Sequence, residues 1–113
     1  MIPVLTVKFF CTDSGREPVR DWLKNDLSPE DRRIIGIDIK TAQFGWPIGM
    51  PVVRKIATNL WEVRSRIRDG IARTFFTVVD SEMILLHGFV KKSQKTPKEE
   101  LLVARTRLRK FSK

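Results

Sequence analysis

Apolar and polar positions are arranged with strand-like and helix-like spacings in a clear order along the chain. Residues 3–11 (Pro-Val-Leu-Thr-Val-Lys-Phe-Phe-Cys) are rich in β-branched and aromatic side chains and predict a strand. A turn at Asp13-Ser14-Gly15 follows. Pro18 then suits the first turn of a short helix whose apolar side is Val19, Trp22 and Leu23. Ser28-Pro29-Glu30-Asp31 is a helix start, with Ser28 as cap, Pro29 in the first position and two acids at the positive end of the dipole. The helix is predicted over 29–44, with Ile35, Ile39 and Ala42 on one face. Gly45-Trp46-Pro47-Ile48-Gly49-Met50-Pro51 cannot continue it and reads as a loop.

Four strand-like runs come next, at 52–57, 60–67, 71–79 and 83–91. The breaks between them, Thr58-Asn59, Arg68-Asp69-Gly70 and Asp80-Ser81-Glu82, have the chemistry of tight hairpins. Thr96-Pro97-Lys98-Glu99 matches a capping box and opens a last helix to about Phe111, with Leu101, Leu102, Leu108 and Phe111 as apolar contacts. The order β-α-α-β-β-β-β-α predicts one α+β domain over residues 1–113, its helices packed on one face of a mostly antiparallel sheet.

Composition narrows the function classes. A chain of 113 residues has room for one core, and 42% hydrophobic with 31% charged residues is ordinary for a folded soluble domain. No apolar run approaches the roughly 20 residues needed to cross a bilayer, and the start does not read as a signal peptide. Cys11 is the single cysteine and is expected to be a small buried residue. A cytoplasmic location is expected, with no cofactor, no metal and no membrane partner.

Charge is distributed unevenly. Residues 1–53 carry seven basic and seven acidic side chains, whereas residues 54–113 carry fifteen and six, so the whole net charge of +9 lies in the second part. An electropositive face for nucleic acid is the natural reading. Strand alternation puts Glu62, Arg64, Arg66 and Arg68 on one side of the 60–67 run and Trp61, Val63, Ser65 and Ile67 on the other. Arginines in this pattern are expected to face solvent or an anion. Arg73 from the next strand and Lys91, Lys92 and Lys95 after the last are expected to join them, offering forked guanidinium donors and mobile ammonium groups to phosphate. Lys55, Arg66, Lys91 and Lys95 are read as RNA contacts. His87 reads as a hydrogen-bonded structural residue, Trp22 and Trp61 as core, and Trp46 as a surface contact for a base or a partner.

Three stretches carry a family resemblance: Leu60-Trp61-Glu62-Val63-Arg64, then Gly70 with Arg73 and Phe76, then Leu86-His87-Gly88-Phe89 followed by Lys91-Lys92-Ser93-Gln94-Lys95-Thr96-Pro97. The sequence resembles the RelE/HigB-type toxins of bacterial type II toxin–antitoxin modules, in the phage-derived Gp49-like branch of the RelE/ParE superfamily. The resemblance implies a RelE/ParE-like fold and a ribosome-dependent mRNA endonuclease (an mRNA interferase) that inhibits translation. It implies metal-independent attack of a ribose 2′-hydroxyl on the adjacent phosphate, leaving a 2′,3′-cyclic phosphate. The implied partners are mRNA, the ribosome and a HigA-like helix-turn-helix antitoxin. By motif position, Arg73 and Lys92 are assigned to the scissile phosphate and Arg64 to orientation of the attacking ribose, and Arg73→Ala is expected to abolish toxicity while sparing the fold.

The chain departs from the superfamily pattern in two places. It contains no tyrosine, which some relatives use near the end of the domain, and it carries Glu62 where the best-known relative has a lysine. The general base is thus open among Lys91, Lys92, Lys95 and Glu62, and Glu62 is alternatively the salt-bridge partner that orders Arg64. Two other functions fit the same fold: a nucleic-acid-binding module without catalysis, and a ParE-like inhibitor of DNA gyrase.

Overall fold

The computed structural model describes residues 2–68, 70–91 and 97–111. Its elements follow the predicted order: β1 (Thr6–Phe9), α1 (Pro18–Asn25), α2 (Pro29–Gly45), β2 (Val53–Ala57), β3 (Leu60–Ile67), β4 (Gly70–Val79), β5 (Glu82–Lys91) and α3 (Lys98–Leu108), which ends in a short 3₁₀ turn at Arg109–Phe111. Ser28 caps α2 as expected, its side chain accepting from the Asp31 amide at 3.1 Å. Asn59 and Asp80 take positive φ at the two hairpin turns where short polar residues tolerate it. Thr96 and Asp69 lie outside the described residues.

The strands form one sheet in the order β1-β5-β4-β3-β2. β2 to β5 are a continuous antiparallel meander, and β1 joins the β5 edge in parallel. β1 is shorter than the apolar run around it. The amides of Val4 and Leu5 both donate to the Gln43 carbonyl near the end of α2, which takes them out of the strand ladder.

Helices cover both faces of the sheet, a correction to the expectation of one. α1 and α2 pack Val19, Ile35, Ile39 and Ala42 against Val63, Ala72, Phe76 and Leu85. α3 packs Leu101, Ala104 and Leu108 against Phe75, Ile84, Leu86 and Phe89, which belong to the opposite face. The reason lies in β4 and β5. Their adjacent pairs Phe75–Phe76 and Leu85–Leu86 put large apolar groups on both sides, so neither face can be left to water. The register slips between Phe75 and Phe76, which face His87 and Leu85, and Leu86 is the additional residue. This bulge returns His87, Phe89 and Lys91 to the α3 side.

Gly88 explains how closely α1 approaches the sheet. A Cβ at this position would lie 2.3 Å from the Trp22 ring. The indole therefore rests directly on the strand backbone. Gly88→Ala must displace the ring or the helix, and a destabilisation of about 1–3 kcal/mol is expected in urea unfolding.

Candidate nucleic-acid interface

Beyond the apolar cluster under α3, the same sheet face becomes charged. Alternation and register bring Arg54 of β2, Glu62, Arg64 and Arg66 of β3, Ile71 and Arg73 of β4 and Lys91 of β5 onto it. Arg64 stands directly opposite Arg73, a like-charge pairing that is unfavourable unless an anion intervenes. Glu62 supplies one. Arg73 Nη1 donates to Glu62 Oε1 at 2.5 Å, and Arg64 Nε lies 3.9 Å from the same oxygen.

This arrangement corrects the expectation that the charged side of β3 is wholly exposed. Glu62 is 0% and Arg73 3% exposed, while Arg64 keeps about a quarter of its side chain in solvent. Burial is possible because the two ions of opposite charge neutralise one another across adjacent strands. Yet one carboxylate is surrounded by four cations, Arg54, Arg64, Arg73 and Lys91, so the cluster keeps an excess of positive charge. Nε of Arg64 and Nε of Arg73 are both buried without a hydrogen-bond partner among the described residues. Glu62 Oε2 is likewise buried without a partner among the described residues, and buried polar atoms of this kind are costly to leave unmet.

Lys91 completes the cluster and is 4% exposed. Burial pushes its ammonium group below the ordinary lysine value, and the nearby charge of Arg73 pushes it further, with Glu62 acting in the opposite direction. Among the other predicted residues, Arg66 is exposed at the rim. Lys55 is exposed too, but it neighbours Arg54 along β2 and so points to the α2 side of the sheet. Lys92 and Lys95 lie outside the described residues.

Behind Arg64 a cleft of about 300 Å³ opens at the edge of β3, lined by Asp38, Pro51, Val52, Arg64, Arg66 and Ile71. It exists because β2 begins at Val53, opposite Val63, and leaves the end of β3 without a partner strand on that side. Asp38 was not predicted. In sequence it is one polar position among the isoleucines of α2, and nothing local signals that the loop 46–52 brings it beside two arginines.

Three further residues settle elsewhere. Trp46 is not a free contact: it packs edge-on to Trp61 at 5.0 Å and against Phe76 at 5.7 Å, inside the α2 side of the core. Cys11 is exposed rather than buried. His87 is hydrogen-bonded, as expected. Its Nε2 lies 3.2 Å from Glu100 Oε2, and Arg107 of α3 approaches Nδ1 while donating to the Leu86 carbonyl at 2.8 Å. Burial lowers the His87 pKa below its usual 6.5, and Glu100 opposes the shift. The unfolded chain therefore binds the proton more readily. As the pH falls through 6.5 and then through the folded-state value, this residue removes stability. The melting temperature of His87→Gln is expected to fall less steeply than that of the native chain over this window.

Among the described residues, no helix is long and apolar enough to cross a membrane. Residues 21–109 match the family model described as phage derived protein Gp49-like (DUF891). The matched span reaches from within α1 to just past α3 and contains Asp38 and the whole charged cluster. No curated protein matches the chain.

Proposed function

The chain belongs to the phage-derived Gp49-like family, within the RelE/ParE-like toxin superfamily, and from that membership we propose that it is the ribosome-dependent mRNA endonuclease of a type II toxin–antitoxin module. The family implies a toxin with an antitoxin partner. The observation that carries the step to RNA cleavage is the part-buried cluster of Arg64, Arg73 and Lys91 around a single carboxylate.

Attack of a ribose 2′-hydroxyl on the adjacent phosphate builds negative charge on the non-bridging oxygens. Cations already in place stabilise that charge without reorganising at the moment of reaction. Arg73, held by Glu62, is such a fixed charge. Arg64, partly exposed, reaches the phosphate and the attacking ribose, and Lys92, which follows β5 in the sequence, is assigned to the phosphate by the family motif alone. The 2′-oxygen–phosphorus bond forms as the bond to the departing 5′-oxygen breaks. A base takes the 2′-hydroxyl proton, and water returns one to the 5′-oxygen. Lys91 fits the role of base, because burial and the neighbouring guanidinium favour its neutral form. Arg66 stands on the approach to the backbone, Lys91 and Lys95 are assigned to RNA contact from the sequence, and Lys55 is too far round the sheet to share it. The partner is a HigA-like helix-turn-helix antitoxin encoded beside the toxin.

Induced expression followed by primer extension on cellular messages tests this reading. New 5′-ends are expected inside translated reading frames and should vanish from a message whose start codon is removed. Growth arrest with intact messages would overturn it in favour of the gyrase-directed reading.

A further inference from the structure

The cleft behind Arg64 has a composition that the cleavage chemistry does not use. Its walls are Pro51, Val52 and Ile71, apolar surfaces suited to the face of a flat ring. Arg64 and Arg66 stand at its mouth, and Arg64 also belongs to the cluster through its 3.9 Å approach to Glu62. The cleft therefore shares Arg64 with the proposed reaction centre. A nucleotide whose phosphate lies against Arg64, above the buried Arg73, would have its neighbour's base within reach of this opening.

Two polar features inside the cleft can read a base. The first is Asp38, the one carboxylate on its wall, which makes no side-chain hydrogen bond or ion pair with any described residue although two arginines share the cleft. The second is the backbone of β3. The Arg64 amide donates to the Val52 carbonyl at 2.8 Å, which fixes the direction of the main-chain groups of Arg64 toward the β2 side. Two residues further, the Arg66 amide and carbonyl point the same way, past the start of β2 at Val53.

We propose that this cleft binds a guanine base of single-stranded RNA next to the cut, with Asp38 as the residue that selects it; the inference rests on the RNA-cleaving reading above. An ionised carboxylate only accepts hydrogen bonds. Guanine presents two adjacent donors on one edge, N1–H and the 2-amino group, which match the two oxygens of a carboxylate. Adenine and cytosine offer a single amino group there, flanked by an acceptor that the carboxylate repels, and uracil offers one imide N–H. The arginines hold the phosphate and favour no base.

The test uses the full-length chain and 2′-O-methyl pentaribonucleotides, which cannot be cleaved, with four uridines around a central G, A, C or U. Fluorescence anisotropy is expected to give about ten-fold tighter binding for the central G, in keeping with a bidentate base contact. Asp38→Asn should bring the four affinities to within about two-fold of each other. In the native chain, the methyl resonances of Val52 and Ile71 should shift with the G oligonucleotide and stay in place with the C oligonucleotide, so the result does not depend on the variant folding. Equal affinities, a G preference that survives Asp38→Asn, or unmoved methyl resonances would overturn the assignment. Codon-positioned cleavage with no preference for G would overturn this inference alone. A G preference in a chain that leaves cellular messages intact would overturn the nuclease reading and leave the cleft assignment standing.

Discussion

Replacing Glu62 with alanine is expected to destabilise the domain by about 3–5 kcal/mol, the range typical of breaking a buried ion pair from one side. The carboxylate is fully buried and, among the described residues, is the acidic group that faces Arg54, Arg64, Arg73 and Lys91. Its loss strands the Arg73 guanidinium, which is itself almost fully buried. A change of this size is a large share of the 5–15 kcal/mol that holds a typical domain together. Urea unfolding with an unchanged m-value is the measurement, and a loss below about 1 kcal/mol would show that the pair is not coupled as drawn. Glu62→Met with Arg73→Met should recover most of the stability, because a buried ion pair and a well-packed apolar pair of similar volume differ little. That double variant should nonetheless be non-toxic. The same geometry revises the test of Arg73. Alanine there leaves Glu62 buried without its partner, so Arg73→Ala is expected to cost stability as well as toxicity. Comparison of Arg73→Lys with the double variant separates the two effects.

The sequence made the elements legible because their signals are local. Caps, prolines and hairpin turns mark the ends of α2 and of β2 to β5 with no reference to the rest of the chain. Placement of α3 was less legible. Phe75-Phe76 and Leu85-Leu86 break the two-residue alternation, so the pattern does not say how many faces need cover, and only the bulge at Leu86 resolves which residues meet α3. The charged face was legible as a list of cations and misread as a surface. The alternation of Glu62, Arg64 and Arg66 is correct, but depth is set by the cross-strand neighbour, and the Glu62–Arg73 pair lets both ions sink. Asp38 and the cleft were not legible at all, since they depend on where β2 starts relative to β3 and on the path of the loop before it.

Lys91→Met is expected to slow RNA cleavage by about 10²–10⁴-fold, the usual contribution of a positioned general base. The direction of its shift supports that role. Burial and Arg73 both disfavour the ammonium form, so neutral Lys91 is available at a lower pH than the ordinary 10.5. Two pH effects of defined sign follow. The cleavage rate should rise with pH up to the lowered value, because only the neutral amine accepts the 2′-hydroxyl proton. Stability should rise as well between that value and 10.5, since the unfolded chain still holds a proton that the folded one has released. Arginine at this position stays charged, so Lys91→Arg should lose the rising limb of the rate profile as completely as methionine does. A purely structural lysine would behave differently: its replacement would lower the melting temperature while the pH profile of the residual cleavage kept its shape. Single-turnover cleavage of a ribosome-bound message across pH, with melting curves on the same samples, distinguishes the two. Retention of the rising limb in Lys91→Met would move the base to Lys92, Lys95 or a group on the ribosome. It would leave Lys91, beside Arg73 and Glu62, as part of the fixed positive field that the phosphate meets.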